Sequence, residues 1–160
     1  LPNGLGQTLS PPRVVAKMTE ALLEGGKPDK VPEEGPGSCY PAAILACLVP
    51  QVFTVERIEE LLKLARRRFH KLGLHNIYTR YADGHLGWPS QAPFDAIVVT
   101  AAATHVPPEL VEQLRVGGVL VAPVERGGMQ RLLAIRRTEE GCEEHDLGGV
   151  IFVPMLSGLS

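Results

Sequence analysis

At 160 residues, with 44% hydrophobic and 21% charged side chains, the chain has the size and balance of a single soluble globular domain able to bury a proper core. A net charge of −2, with Lys and Arg scattered except at Arg66-Arg67-Arg68, argues against a broad nucleic-acid surface; no apolar stretch nears the roughly twenty residues of a membrane span and no leader pattern is seen, so a cytoplasmic location is expected. Cys39, Cys47 and Cys142 are too irregular for a disulfide framework, and the histidines at 70, 75, 85, 105 and 145 include no i, i+4 pair, so no metal site is expected.

Leu1 to Gly6 reads as a loop running into the polar Gln7-Thr8-Leu9-Ser10. From Pro11 the apolar positions Val14, Val15, Met18, Ala21 and Leu22 recur at helical spacing until Gly25-Gly26, and Ser10 is a fitting cap for that helix. Val31-Pro-Glu-Glu-Gly-Pro-Gly-Ser-Cys-Tyr40 then joins a possible strand to the helical run Pro41 to Leu48, and Val52-Phe-Thr-Val-Glu56 follows as a strand ending in an acid. Glycines between strand and helix, with a carboxylate after the next strand, are the parts of a nucleotide-cradling βαβ unit. Pro32 and Glu34 fit poorly, because a buried parallel strand needs apolar residues and backbone donors; Cys39 stands where a third glycine is usual.

The segment Arg57 to Leu72 is an amphipathic helix, with Ile58, Leu61, Leu62, Ala65, Phe69 and Leu72 on one face and Gly73 at its end. Strands are expected at Val52 to Val55, Ile77 to Tyr81, Ala96 to Thr100, Val119 to Val124, Leu132 to Arg136 and Val150 to Val153, with a short helix over Pro107 to Leu114. The alternation implies a mostly parallel sheet with helices on both faces and an antiparallel edge, and ligands on such sheets bind beyond the carboxyl ends of the strands. Each candidate has a plainer reading beside it. The glycine loop is also a Pro/Gly turn, Glu56 a solvated first-turn carboxylate, Asp83-Gly84 a simple turn, Ser10 only a cap, Asp95 a structural residue and Trp88 a packing residue.

Particular segments resemble the protein-L-isoaspartate O-methyltransferase family: Leu1 to Ser10, Val55-Glu-Arg57, Leu74-His-Asn76, Asp83-Gly84, Pro93 to Ala102, Leu114 to Pro123 and Phe152-Val-Pro154. The resemblance runs from Leu1 to Gly158 and implies a Rossmann-like class I methyltransferase, 1–160 forming one domain that lacks the family's amino-terminal helical segment. It implies S-adenosylmethionine as cofactor, held by Glu33, Gly35 and Gly37 at its amino-acid end, Glu56 at the ribose, and Asp83 with Gly84 at the adenine. Ser10 is implied as the active-site residue, with Thr8, Thr100 and Ala101 facing the acceptor. The implied partners are damaged proteins or peptides carrying isoaspartyl, and also D-aspartyl, residues; the expected state is a monomer without nucleic acid or membrane. Two alternatives stay open on the sequence: a catalytically impaired relative that only binds protein, and a small-molecule methyltransferase on the same fold.

Overall fold

A computed structural model describes residues 11–34, 39–152, 154–155 and 158–159. Seven strands form one sheet: β1 (Lys30–Glu34), β2 (Gln51–Glu56), β3 (Ile77–Tyr81), β4 (Phe94–Val99), β5 (Leu114–Arg126), β6 (Met129–Arg137) and β7 (Cys142–Val150). Their order is β3-β2-β1-β4-β5-β6-β7. Pairing is parallel from β3 through β5 and antiparallel from β5 to β7, as expected. The direction of winding reverses between β1 and β4, which is where a crevice opens on such a sheet.

Helices α1 (Pro12–Leu23), α2 (Cys39–Ala46) and α3 (Glu59–Lys71) cover one face, where Val14, Met18, Leu22, Leu45, Ala65 and Phe69 pack on Val31, Val52, Ala96, Val98, Val119 and Val121. The other face is covered by α4 (Pro108–Glu112) and two 3₁₀ turns, Gly84–Leu86 and Pro89–Gln91, over Phe53, Ile97, Val99, Leu120 and Ala122. Alternation along each strand sends successive side chains to the two layers. In α3 the buried Leu61, Leu62, Ala65 and Phe69 follow the helical period, and a fully buried Leu or Phe of this kind contributes roughly 1.5–3 kcal/mol.

Several boundaries differ from the sequence expectation. Pro11 occupies the cap position of α1, and no described side chain caps that helix; Ser10, the cap expected from the sequence, lies outside the described residues. The last strand lies at Cys142–Val150 rather than Val150–Val153. Its first five residues are exposed, so it carries no apolar alternation and is held as an edge by backbone pairing to β6. The strand expected at Val119 begins already at Leu114 and runs to Arg126.

Pro32 is accommodated by geometry. In a parallel strand each residue turns both its N–H and C=O to one neighbour. Glu34 turns to the β4 side, accepting from the Thr100 N–H (2.9 Å), whereas Asp29 turns to β2, accepting from Gln51 (3.0 Å). Pro32 therefore spends its missing donor on the β4 side. The β2 ladder runs unbroken from Lys30 to Glu34, while among the described residues the β4 ladder comprises Glu33–Val98 and Glu34–Val99.

Candidate active site

The carboxyl ends of β1, β2, β3 and β4 bring together most of the described candidates. Neighbours in sequence, Glu33 and Glu34 point to opposite layers. Glu33 (3% exposed) faces the α1–α3 layer, where its Oε2 accepts from the Thr54 hydroxyl at 3.4 Å and Thr100 offers a second hydrogen bond. Burial, with the nearby Glu56 adding to it, raises the Glu33 carboxyl from 4.5 to about 8 against those hydrogen bonds. Glu56, the last residue of β2, is 2% exposed and accepts from the Ile58 N–H at 2.9 Å. It is thus a buried carboxyl at a strand end that also orders the start of α3, not a solvated first-turn acid.

On the other face Glu34 is fully buried, and neither carboxyl oxygen has a hydrogen-bond partner among the described residues. It lies against Gly84, whose hypothetical Cβ would stand 3.6 Å from Glu34 Oε2 and 3.4 Å from Met155 Cε. Burial first, then the proximity of Glu33 and Asp83, pushes its carboxyl well above the ordinary range, with Arg80 opposing. Asp83 behaves oppositely. Desolvation would raise it, yet the N–H groups of Gly158 (2.9 Å) and His85 (2.9 Å), with the His85 ring, hold it below the usual carboxylate value. The Asp83 carboxylate thereby caps the 3₁₀ turn and anchors the carboxyl-terminal segment, whose Gly158 carbonyl also accepts from Arg57.

Thr100 (5% exposed) and Ala101 (1%) follow β4 directly, and Met155 N–H donates to the next residue's carbonyl, Ala102, at 2.7 Å. The segment after β7 thus touches the ends of both β3 and β4. Thr8, Ser10, Gly35 and Gly37 lie outside the described residues. Sequence reasoning missed Thr54, Gln113 and Gly158. Gln113, 8% exposed, accepts from the Trp88 N–H and donates to the Leu86 carbonyl, both at 2.9 Å, which fixes the loop that carries Gly84. Trp88 packs edge-on against Phe53 and beneath Arg80, as its plainer reading expected. Asp95 pairs with Arg115, a structural role. Among the described residues no group of acids, histidines and cysteines is placed to hold a metal.

Buried acids at the ends of β1 and β2, a glycine at the β3 turn and the buried Thr100 and Ala101 after β4 lie beside the winding reversal, the place where sheets of this kind take their ligands.

Comparison with known proteins bears on what that ligand is. The sequence model of the family described as Protein-L-isoaspartate(D-aspartate) O-methyltransferase matches residues 1–160. A protein-L-isoaspartate O-methyltransferase from Halorhodospira halophila is 52% identical over 158 residues, covering 99% of this chain and 72% of the relative. Among solved structures, a protein-L-isoaspartate O-methyltransferase superposes with a TM-score of 0.87 at 24% identity, over 100% of this chain and 52% of that one, so the chain spans about half its length. A beta-aspartate methyltransferase from Plasmodium falciparum in complex with S-adenosyl-L-homocysteine gives 0.86 at 24% identity, over 98% and 79%.

Proposed function

The chain belongs to the protein-L-isoaspartate(D-aspartate) O-methyltransferase family, S-adenosylmethionine-dependent enzymes of protein repair, and from that premise we propose how its own residues carry the reaction. The reading is methyl transfer to the free α-carboxylate of L-isoaspartyl, and also D-aspartyl, residues in damaged proteins. The observation that supports it best is the meeting of Glu33, Glu56, Gly84 and Thr100, from four separate segments, at the carboxyl edge beside the winding reversal.

Glu56 is proposed to accept the ribose hydroxyls, Gly84 to lie under the adenine, and Gly35, Gly37 and Glu33 to line the amino-acid end. Asp83 is proposed to border the adenine while keeping its tail and turn contacts. Bound there, the cofactor supplies an electrophilic methyl on a positively charged sulfur. An acceptor carboxylate with a pKa of about 3.5 is already ionised at neutral pH, so no general base is required. Thr8, Ser10, Thr100 and Ala101 then serve to hold the carboxylate in line and keep water away, and positioning of this kind is worth up to roughly 7–11 kcal/mol. A site of hydroxyls and alanine, without a strong acid or base, suits that task. We propose that the protein acts as a monomer in the cytoplasm; no helix among the described residues is long and apolar enough to cross a membrane.

The test is methylation of matched isoaspartyl and aspartyl peptides with labelled S-adenosylmethionine. The isoaspartyl backbone displaces the carboxylate by one methylene, so the expected result is strong preference for the isoaspartyl peptide. Equal labelling of the two would remove the assignment of substrate.

A further inference from the structure

α3 and β3 form one border of the sheet, and their charge departs from that of the rest of the chain. Residues 61–82 carry Lys63, Arg66, Arg67, Arg68, Lys71 and Arg80 and no Asp or Glu, in a chain whose net charge is −2. All six are exposed. Among the described residues no carboxylate pairs with Arg66, Arg67 or Lys71, whereas at the opposite border Arg126 and Arg131 pair with the β7 acids Glu144 and Asp146. β3 is the last strand on its side, so one edge of it has no neighbouring strand among the described residues. In a parallel strand the N–H and C=O of a residue face the same neighbour. The Val52 N–H donates to the Asn76 carbonyl and the Ala82 N–H to the Glu56 carbonyl, each at 3.0 Å, so Tyr78 and Arg80 serve β2 while Ile77 and Thr79 turn their backbone groups outward. An open edge calls for a guard, and here it is a cation: Arg66 Nε donates to the Thr79 hydroxyl at 2.6 Å. Arginine grips a carboxylate through two parallel hydrogen bonds, so an incoming acid would draw that guard off the hydroxyl.

We propose that the β3 edge is a docking site for an extended, acidic polypeptide segment, which joins the sheet as a further strand through the outward backbone groups of Ile77 and Thr79. The two faces of the edge set the pattern of the segment. Ile77 and Thr79 turn to the α3 layer, beside Arg66. Tyr78 turns to the other layer, where its ring stacks on Phe53 with centroids 5.2 Å apart and stays 44% exposed. Side chains of an added strand point alternately to these two layers. Those on the α3 side meet cations and are Asp or Glu; those on the Tyr78 side meet an aromatic ring and are apolar. Charge supplies the attraction, and backbone pairing fixes the conformation. The edge lies outside the cofactor crevice, so the proposal stands apart from the assignment of that site.

Fluorescence anisotropy of the whole chain with a labelled peptide of about ten residues, Glu alternating with Val, measures the docking directly. The peptide should bind, and about tenfold less tightly when salt is raised from roughly 0.05 to 0.5 M. A peptide of the same composition with its Glu residues gathered in one half should bind about tenfold less tightly at low salt, because its acids fall on both faces. Arg66→Glu combined with Arg67→Glu should abolish binding. Thr79→Pro removes an outward donor that β2 does not use and should also abolish it, while Thr79→Val should retain it. Thermal melting shows which variants are folded, and should Thr79→Pro fail to fold, the comparison of the two peptides still decides. Equal binding of the alternating and regrouped peptides, or a folded Thr79→Pro protein that binds as wild type does, overturns strand addition. Equally tight binding of a polyuridylate of the same charge makes the border a general polyanion surface and overturns it too. Self-association in sedimentation that Arg66→Glu abolishes places a second copy on the edge, with the same consequence.

Discussion

Replacing Gly87 with alanine should destabilise the protein chiefly through one identifiable neighbour. Gly87 has φ +65° and ψ −146°, a backbone region essentially reserved for glycine that costs an L-residue about 1–3 kcal/mol. An added Cβ would also press on the Gln113 amide at 2.8 Å and on Leu110 Cδ2 at 2.8 Å, and crowding of this sort costs a further 1–3 kcal/mol, roughly. A total of about 3 kcal/mol follows. Gln113→Ala removes the two hydrogen bonds to the Leu86–Trp88 backbone and should cost about 2–3 kcal/mol, because the Trp88 N–H loses its acceptor in a half-buried place. The two losses share a contact, so they should not add. With Gln113 shortened, the alanine at 87 finds space, and the double variant should lie about 1–2 kcal/mol above the sum of the singles. Urea unfolding of the four proteins measures this directly. Additive costs within about 0.5 kcal/mol would show that the loop is not latched by Gln113.

Asn76→Ala should cost about 1–3 kcal/mol and leave cofactor affinity unchanged, since its amide donates to the Ala46 and Val49 carbonyls that close α2, at 2.8 and 3.0 Å; loss of binding in calorimetry would contradict that division. Glu56→Gln should keep an acceptor for the Ile58 N–H and so keep the melting temperature near wild type, while weakening S-adenosylmethionine about tenfold or more; unchanged affinity would leave Glu56 a purely structural carboxyl. Stability should fall as pH rises from 4.5 to about 8. In that window the unfolded chain has lost the Glu33 proton and the native state retains it, with a ceiling on the order of 5 kcal/mol, and Glu34 acts in the same direction. Chemical unfolding at pH 5 and pH 8 tests this, with Glu33→Gln expected to flatten the slope; a wild-type profile that rises with pH would reverse the reasoning.

How much of this was legible in the sequence depended on whether a residue's partners were local. The α1 and α3 faces and the buried β4 run could be read because helical period and apolar runs are written in consecutive residues. β7 could not, since Cys142 to Asp146 are exposed and gain their strand form from β6 alone. Glu56 reads in the sequence as either a ribose ligand or a surface acid, and its burial removes the surface acid. Asp83 was recognisable as a turn, but its hold on Gly158, 75 positions away, had no local signal. Pro32 was correctly read as a missing donor, yet only the direction of each peptide could tell which neighbour would lose it.

That lost donor has a mechanical consequence. Among the described residues β1 pairs with β4 at two positions and with β2 at five, so the seam between the β3-β2-β1 and β4-β5-β6-β7 panels is the more sparsely stitched side of β1. The seam unites positions some sixty-five residues apart, and closing so long a loop is unfavourable before neighbouring contacts reward it. Opening motions should accordingly concentrate there, and amide exchange at Thr100, whose N–H crosses the seam to Glu34, should be faster than at the β5–β6 hairpin. A ligand seated over the seam acts as a rivet. At a hundred times its dissociation constant it would add about 2.7 kcal/mol to the whole domain, and the panels would slow their parting in proportion.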